Sequence, residues 1–99
     1  MPTSPPLTAR ALPTGWPLTP AQTRIALLLA RGLSVRAVAR TIGCSYYTVC
    51  IHVRVMGNVL DGETAPVARI RAFVHAVAAH EAAHPGTPLP AGMWRRGAA

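Results

Sequence analysis

The chain predicts an all-α fold, and three observations carry that expectation. Apolar residues recur at helical spacing in four successive segments. Proline, glycine and hydroxyl residues stand at the ends of those segments, where helix caps need them. The chain has 99 residues and proline-rich ends. That leaves room for one small domain of roughly 60 to 70 residues, whose single core is only marginally stable without help.

Residues 1–17, MPTSPPLTARALPTGWP, hold five prolines and little periodicity, so they read as a flexible arm. Trp16 is expected to pack back on the domain, because a lone indole beside a core finds apolar surface. Arg10 offers one charge to a phosphate. No receiver or ligand-binding domain is expected ahead of Leu18.

The first helix starts where its signals coincide. Thr19 is the N-cap, Pro20 takes the first helical position, and Gln22, three residues after the cap, completes a capping box. Ala21, Ile25, Leu28 and Leu29 form the expected buried stripe. Arg31 lies in the last turn, and Gly32 closes it in the left-handed position. A second helix begins at Ser34, runs through Val35, Val38, Ala39 and Ile42, displays Arg36 and Arg40, and stops at Gly43. Ser45 then caps a third.

That third segment, residues 45–60 (SYYTVCIHVRVMGNVL), has two unlike faces. Val49, Val53, Met56 and Leu60 fall on one stripe, Tyr47, Ile51, Arg54 and Asn58 on the opposite one. An ordinary exposed face is charged and bland; this one combines an arginine, an amide, a tyrosine and a branched apolar residue. Those are base-reading chemistries: Arg pairs with guanine, Asn with adenine, and an apolar group touches the thymine methyl. Gly57 inside the helix costs about 1 kcal/mol against Ala, so it either ends the helix early or permits a close approach. Asp61 to Ala65 form a turn, and Pro66 starts a fourth helix reaching Ala83. Val67, Ile70, Phe73, Val74 and Val77 make its apolar face. Ala68, Ala72, Ala76 and Ala79 make a second stripe, read either as plain helix propensity or as a face where two copies approach closely. Residues 84–99 lose periodicity and read as a flexible basic tail, with Trp94, Arg95 and Arg96 as a phosphate or partner contact.

Two short helices joined by a tight glycine turn make a helix-turn-helix. Ala39 is small where the helices cross, Gly43 supplies the turn, and Val49 packs back. Residues 18–60, a little under half of the chain, resemble the LuxR-type helix-turn-helix domain of bacterial transcription regulators. The likeness runs through Leu18-Thr19-Pro20, Leu29-Ala30, Gly32-Leu33-Ser34, Val38-Ala39, Gly43, Ser45, Thr48-Val49, His52-Val53 and Leu60. It implies a four-helix fold with the third helix in the major groove and the fourth carrying dimer contacts. Position by position it implies Cys50, Ile51 and Arg54 at bases, and Thr48, Arg36 and Arg40 at phosphates. The chain departs from the family where acidic residues usually follow Leu-Thr-Pro, having Ala21, Gln22, Thr23 and Arg24 instead. It also has Cys50 where the family commonly has lysine, so the target sequence is not inherited from relatives.

Ten arginines and no lysine against Asp61, Glu63 and Glu81 give a net charge of +7, which favours a polyanionic partner. No apolar run approaches the roughly 18 residues of a spanning helix, and the N-terminus lacks a signal-peptide centre. A membrane partner is therefore not expected, and the expected location is the cytoplasm, on the nucleoid. Cys44 and Cys50 are expected as reduced thiols; an adjacent arginine is a weak argument for Cys50 as a redox sensor.

One motif competes. His80-Glu81-Ala82-Ala83-His84 is a literal HExxH, the zinc helix of metalloproteases. Nothing after His84 supplies a third ligand, Pro85 pulls His84 from helical geometry, and the chain is too short to wall a substrate cleft. His52 and His75 are no better as ligands. The expectation is therefore no catalytic residue, no metal and no cofactor. The primary reading is a transcription regulator that binds double-stranded DNA as a homodimer, with RNA polymerase or another regulator as further partner. The alternatives are a DNA-binding accessory of a mobile element, a promoter-contacting adaptor, a protein-interaction module that has lost DNA binding, and, least favoured, a zinc hydrolase.

Overall fold

The computed structural model describes residue 8, residues 12–62 and residues 64–94. Arg10, Glu63, Arg95 and Arg96 lie outside the described residues. The elements are α1 (Pro20–Ala30), α2 (Val35–Ile42), α3 (Tyr46–Val59), α4 (Pro66–Ala83) and a short 3₁₀ turn, Ala91–Met93. No strand occurs among the described residues.

Each of the first three helices begins on the cap its sequence provides. Thr19 and Gln22 exchange side-chain and backbone hydrogen bonds at 3.2 and 3.0 Å, a complete capping box. The hydroxyls of Ser34 and Ser45 accept from the amides of Ala37 and Thr48. The stops are equally local. At the end of α1 the amides of Gly32 and Leu33 return to the carbonyls of Leu29 and Leu28, a Schellman closure with Gly32 at φ 97°. Gly43, at φ 76°, ends α2, and the amide of Cys44 turns back to Ala39. Two residues then suffice to launch α3, which sets the α2–α3 corner.

A single core lies where α1, α3 and α4 meet, with α2 packed on its edge. Ile25, Ala26, Leu29, Val38, Val49, Met56, Leu60, Ile70, Phe73 and Val77 are fully or almost fully buried there. The buried stripe of α1 is rotated from the expected one: Ala21 is exposed, Leu28 is half-buried, and Thr23 and Ala26 are inside. Thr23 is drawn in because its hydroxyl accepts the Trp16 indole N–H at 2.7 Å, which satisfies both polar groups away from water.

The folded unit also reaches beyond residues 18–83. Trp16 packs on Phe73 with ring centroids 5.2 Å apart, and Trp94 meets the same ring edge-on at 6.1 Å. Leu89 is buried, and its amide donates to the Thr14 carbonyl at 2.8 Å. The segments just outside Leu18 and Ala83 thus meet each other over Phe73. Two indoles thus share in covering the fully buried Phe73 ring.

Gly57 sits inside α3 without ending it. A side chain there would bring a Cβ to 2.7 Å from the Pro66 Cβ, so the glycine permits the close approach of α3 to the start of α4. Two arginines of α4 tie the helix ends together. Arg71 donates from Nε to the Leu29 carbonyl (2.9 Å) and from Nη2 to that of Leu33 (2.9 Å). Arg69 donates from Nε to the Leu60 carbonyl (2.7 Å) and from Nη2 to that of Met93 (3.0 Å). Each guanidinium therefore bonds one carbonyl in the last turn or cap of a helix, Leu29 or Leu60, and one in a neighbouring segment, Leu33 or Met93, and brings positive charge to the negative end of the α1 or α3 dipole.

Candidate nucleic-acid interface

α3 buries Val49, Val53, Met56 and Gly57 and turns its opposite side outward. Tyr47, Ile51, Arg54 and Asn58 are exposed on that outward side, and Cys50 beside them is half-buried. The five candidate base-contacting residues thus share one surface of one helix. Thr48 is exposed as well. Its hydroxyl lies 2.8 Å from that of Ser45, so it also closes the first turn.

Arg36 and Arg40 are exposed on α2, the helix before the turn. The Arg36 guanidinium sits 4.4 Å above the Tyr46 ring, linking α2 to the first turn of α3; at an exposed site such a contact contributes about 0.5–1 kcal/mol. Arg36, Ala39, Arg40, Cys44 and Tyr46 line a shallow open depression of about 220 Å³. The Tyr46 phenol is held above its usual range, chiefly by the Cys50 thiol one turn on, while nearby Arg36 acts in the opposite direction. Cys44 and Cys50 are both free and half-buried.

The described arginines divide by burial and by element. Arg69 and Arg71 are half-buried and spend their donors on carbonyls. Arg24, Arg31, Arg36, Arg40 and Arg54 are exposed, and all of them belong to α1, its C-cap, α2 or α3. Arg24 and Arg31 flank a second depression of about 180 Å³ with Leu27, Leu28 and Thr41. On α4 the exposed side chains are alanines and His75: Ala68, Ala72, Ala76 and Ala79 lie outward as a row. Among the described residues, then, the cationic surface belongs to the first three helices and the small-residue surface to the fourth.

Sequence reasoning overlooked part of this surface. Tyr46, Val55 and Val59 are 46%, 45% and 36% exposed, so the outward side of α3 is more apolar than Tyr47 and Ile51 alone indicate. The signal was present in the steps of four from Tyr47 to Ile51, Val55 and Val59, a row that runs along a helix. It was missed because valine in a helix is ordinarily read as core.

At the HExxH segment, His80 and Glu81 are half-buried and His84 is exposed. The two imidazole centroids are 5.2 Å apart, and His84 leaves helical geometry at φ −135°. One Glu81 oxygen accepts from the Gly86 amide at 3.2 Å; the other, and His80 Nδ1, have no partner. Among the described residues no group of three or more His, Cys, Asp or Glu is placed to hold a metal ion. No described helix is long and apolar enough to cross a membrane.

No protein-family model, curated protein or solved structure matches this chain.

Proposed function

We propose that the chain is a sequence-specific DNA-binding transcription regulator of the LuxR-like helix-turn-helix kind. In this reading α3 lies in the major groove, with Arg54, Asn58, Ile51, Cys50 and Tyr47 toward base edges and Arg36, Arg40 and Thr48 toward phosphates. The observation that carries it is that the five exposed arginines among the described residues belong to α1, its C-cap, α2 and α3, with Arg54 on the outward side of α3, while α4 exposes none. Phosphate neutralisation supplies affinity, and a few side chains on α3 supply discrimination. α4, with its outward row of alanines, serves as the homodimer contact, and RNA polymerase or another regulator is the further partner. The protein acts in the cytoplasm, on the nucleoid.

The test is a titration of duplex DNA of random sequence at several salt concentrations. Binding whose logarithm falls with log salt at a slope of about −2 for each bound copy agrees with phosphate contacts from Arg36 and Arg40. No detectable binding at low salt overturns the reading. A footprint of genomic DNA bound by the protein then identifies the preferred sites.

A further inference from the structure

Tyr47, Ile51, Val55 and Val59 follow one another at steps of four and are 73%, 47%, 45% and 36% exposed. They form one slanted apolar ridge, about 18 Å long at 1.5 Å per residue, along the whole outward side of α3. Surface apolar residues scattered singly need no explanation, but a contiguous row marks a contact surface. Duplex DNA accounts for only its first half. At about 100° per residue the assigned base contacts Tyr47, Ile51, Arg54 and Asn58 stay within about 40° of one line, whereas steps of four carry Val55 and Val59 about 80° and 120° round the helix from Tyr47, off the reading side.

We propose that this ridge docks an acidic amphipathic helix of a partner protein. A row of side chains at steps of four fits between the corresponding rows of a second helix, and an amphipathic helix laid along a complementary face is a recurring way to bind one. Charge selects the occupant. Arg54 flanks the ridge, and Arg36 and Arg40 stand at its Tyr46 end, all exposed. The chain's acids, Asp61, Glu63 and Glu81, all follow α3 in the sequence, so none belongs to α1, α2 or α3. A helix with glutamates or aspartates beside its apolar stripe meets an excess of opposite charge there, since Asp61, two residues past Val59, is the one described acid near the ridge and already has an interaction of its own. A second copy of this chain matches it poorly, because two-fold pairing of α3 sets Arg54 against Arg54 and offers the arginines at the Tyr46 end only Asp61, which already has an interaction of its own. The chain's own arm is excluded on the same ground, since residues 1–17 contain no acid.

The docked helix covers Arg54, Ile51 and Tyr47, the residues assigned to DNA. The partner therefore competes with the duplex, imitating its negative charge while using the Val55 and Val59 contacts that the duplex leaves empty. This regulatory consequence rests on the proposed function; the docking surface does not.

The experiment uses the full chain and three fluorescein-labelled peptides of about 18 residues. The first is an amphipathic helix with leucines on one stripe and glutamates on the flanks. The second has the same composition in scrambled order, and the third has lysine for every glutamate. In fluorescence anisotropy the first peptide is expected to bind saturably and at least tenfold tighter than either control. Ile51→Asp with Val55→Asp, and separately Arg54→Glu, should each weaken it at least tenfold. All these positions are exposed, so the variants should melt with the wild type by circular dichroism. Equal binding of the ordered and scrambled peptides, or indifference to the Ile51 and Val55 changes, overturns the proposal. Displacement of bound duplex by the unlabelled first peptide tests the competition. Peptide binding without DNA binding rejects the DNA reading and keeps the docking surface; DNA binding without peptide binding does the reverse.

Discussion

At the scale of single residues, the arginines divide by what their donors already touch. Arg54 is exposed on the outward side of α3, and Arg36 is exposed on α2 against the face of Tyr46. On the DNA reading, Arg54→Ala should cost about 1–3 kcal/mol on the preferred site and flatten discrimination at one base pair. Arg36→Ala should instead weaken all duplexes alike and lower the salt slope by about one unit. Equal losses on random and preferred DNA for Arg54→Ala would remove α3 as the reader. Tyr46 gives a residue-scale prediction that does not involve DNA. Its phenol holds its proton above the ordinary range because of Cys50. Its contribution to stability is therefore complete below that range and is lost as pH rises through the raised value. Cys50→Ala should lower the titration midpoint of Tyr46, since only the opposing influence of Arg36 and slight burial remain. Ultraviolet absorbance of tyrosinate, with Tyr46→Phe to separate it from Tyr47, reads the change.

At the scale of elements, the corners depend on contacts between helix ends. Gly57→Ala gains about 1 kcal/mol of helix propensity, yet its new methyl meets the stiff ring of Pro66 at 2.7 Å. Opening the α3–α4 corner to relieve that overlap should cost about 1–3 kcal/mol, so urea denaturation is expected to show a net loss of stability. A more stable variant would mean that Pro66 moves freely. Arg71 makes the complementary case. Its guanidinium joins α4 to a carbonyl in the last turn of α1 and another in the α1–α2 connection; hydrogen bonds to charged groups contribute about 1.5–3 kcal/mol each, net of hydration, and less where the group is only half-buried. Arg71→Ala should destabilise the fold by about 2 kcal/mol with little effect on DNA affinity at temperatures well below the melt. Arg71→Lys should recover only part of that, because one ammonium does not reproduce the fork.

At the scale of the whole molecule, the exposed arginines among the described residues belong to α1, its C-cap, α2 and α3, and α4 exposes a row of alanines. A single helix-turn-helix reads few base pairs, whereas a two-fold pair doubles the site and sets half-sites about one helical turn apart. A small domain also gains stability by burying a shared face. Ala72→Glu and Ala76→Arg should each leave helical circular dichroism intact, since both positions are exposed. Each should lower affinity for a two-half-site operator far more than for one half-site. Sedimentation at an unchanged mass for these variants, or a monomeric wild type on DNA, would return the alanine row to helix propensity alone.

Much of this architecture was legible in the chain itself. Thr19 with Gln22, Ser34, Ser45, Gly32 and Gly43 act within about one turn of where they stand, so helix starts and stops could be read from neighbouring letters. The two-faced character of α3 was legible for the same reason, because a helix converts spacing directly into sides. What the sequence could not decide were partnerships between distant positions. Nothing near Arg71 announces carbonyls 38 and 42 residues away, and nothing near Thr23 announces that Trp16 will draw it inward. The choice between the two readings of Gly57 also waited for Pro66 to arrive across the corner. Local chemistry determined where the helices begin and end and which side of α3 is apolar; only the packed molecule decided which side of α1 is buried, which arginines are structural, which remain exposed, and that Trp94 joins Trp16 on Phe73, because those outcomes depend on which atoms meet after the chain has folded.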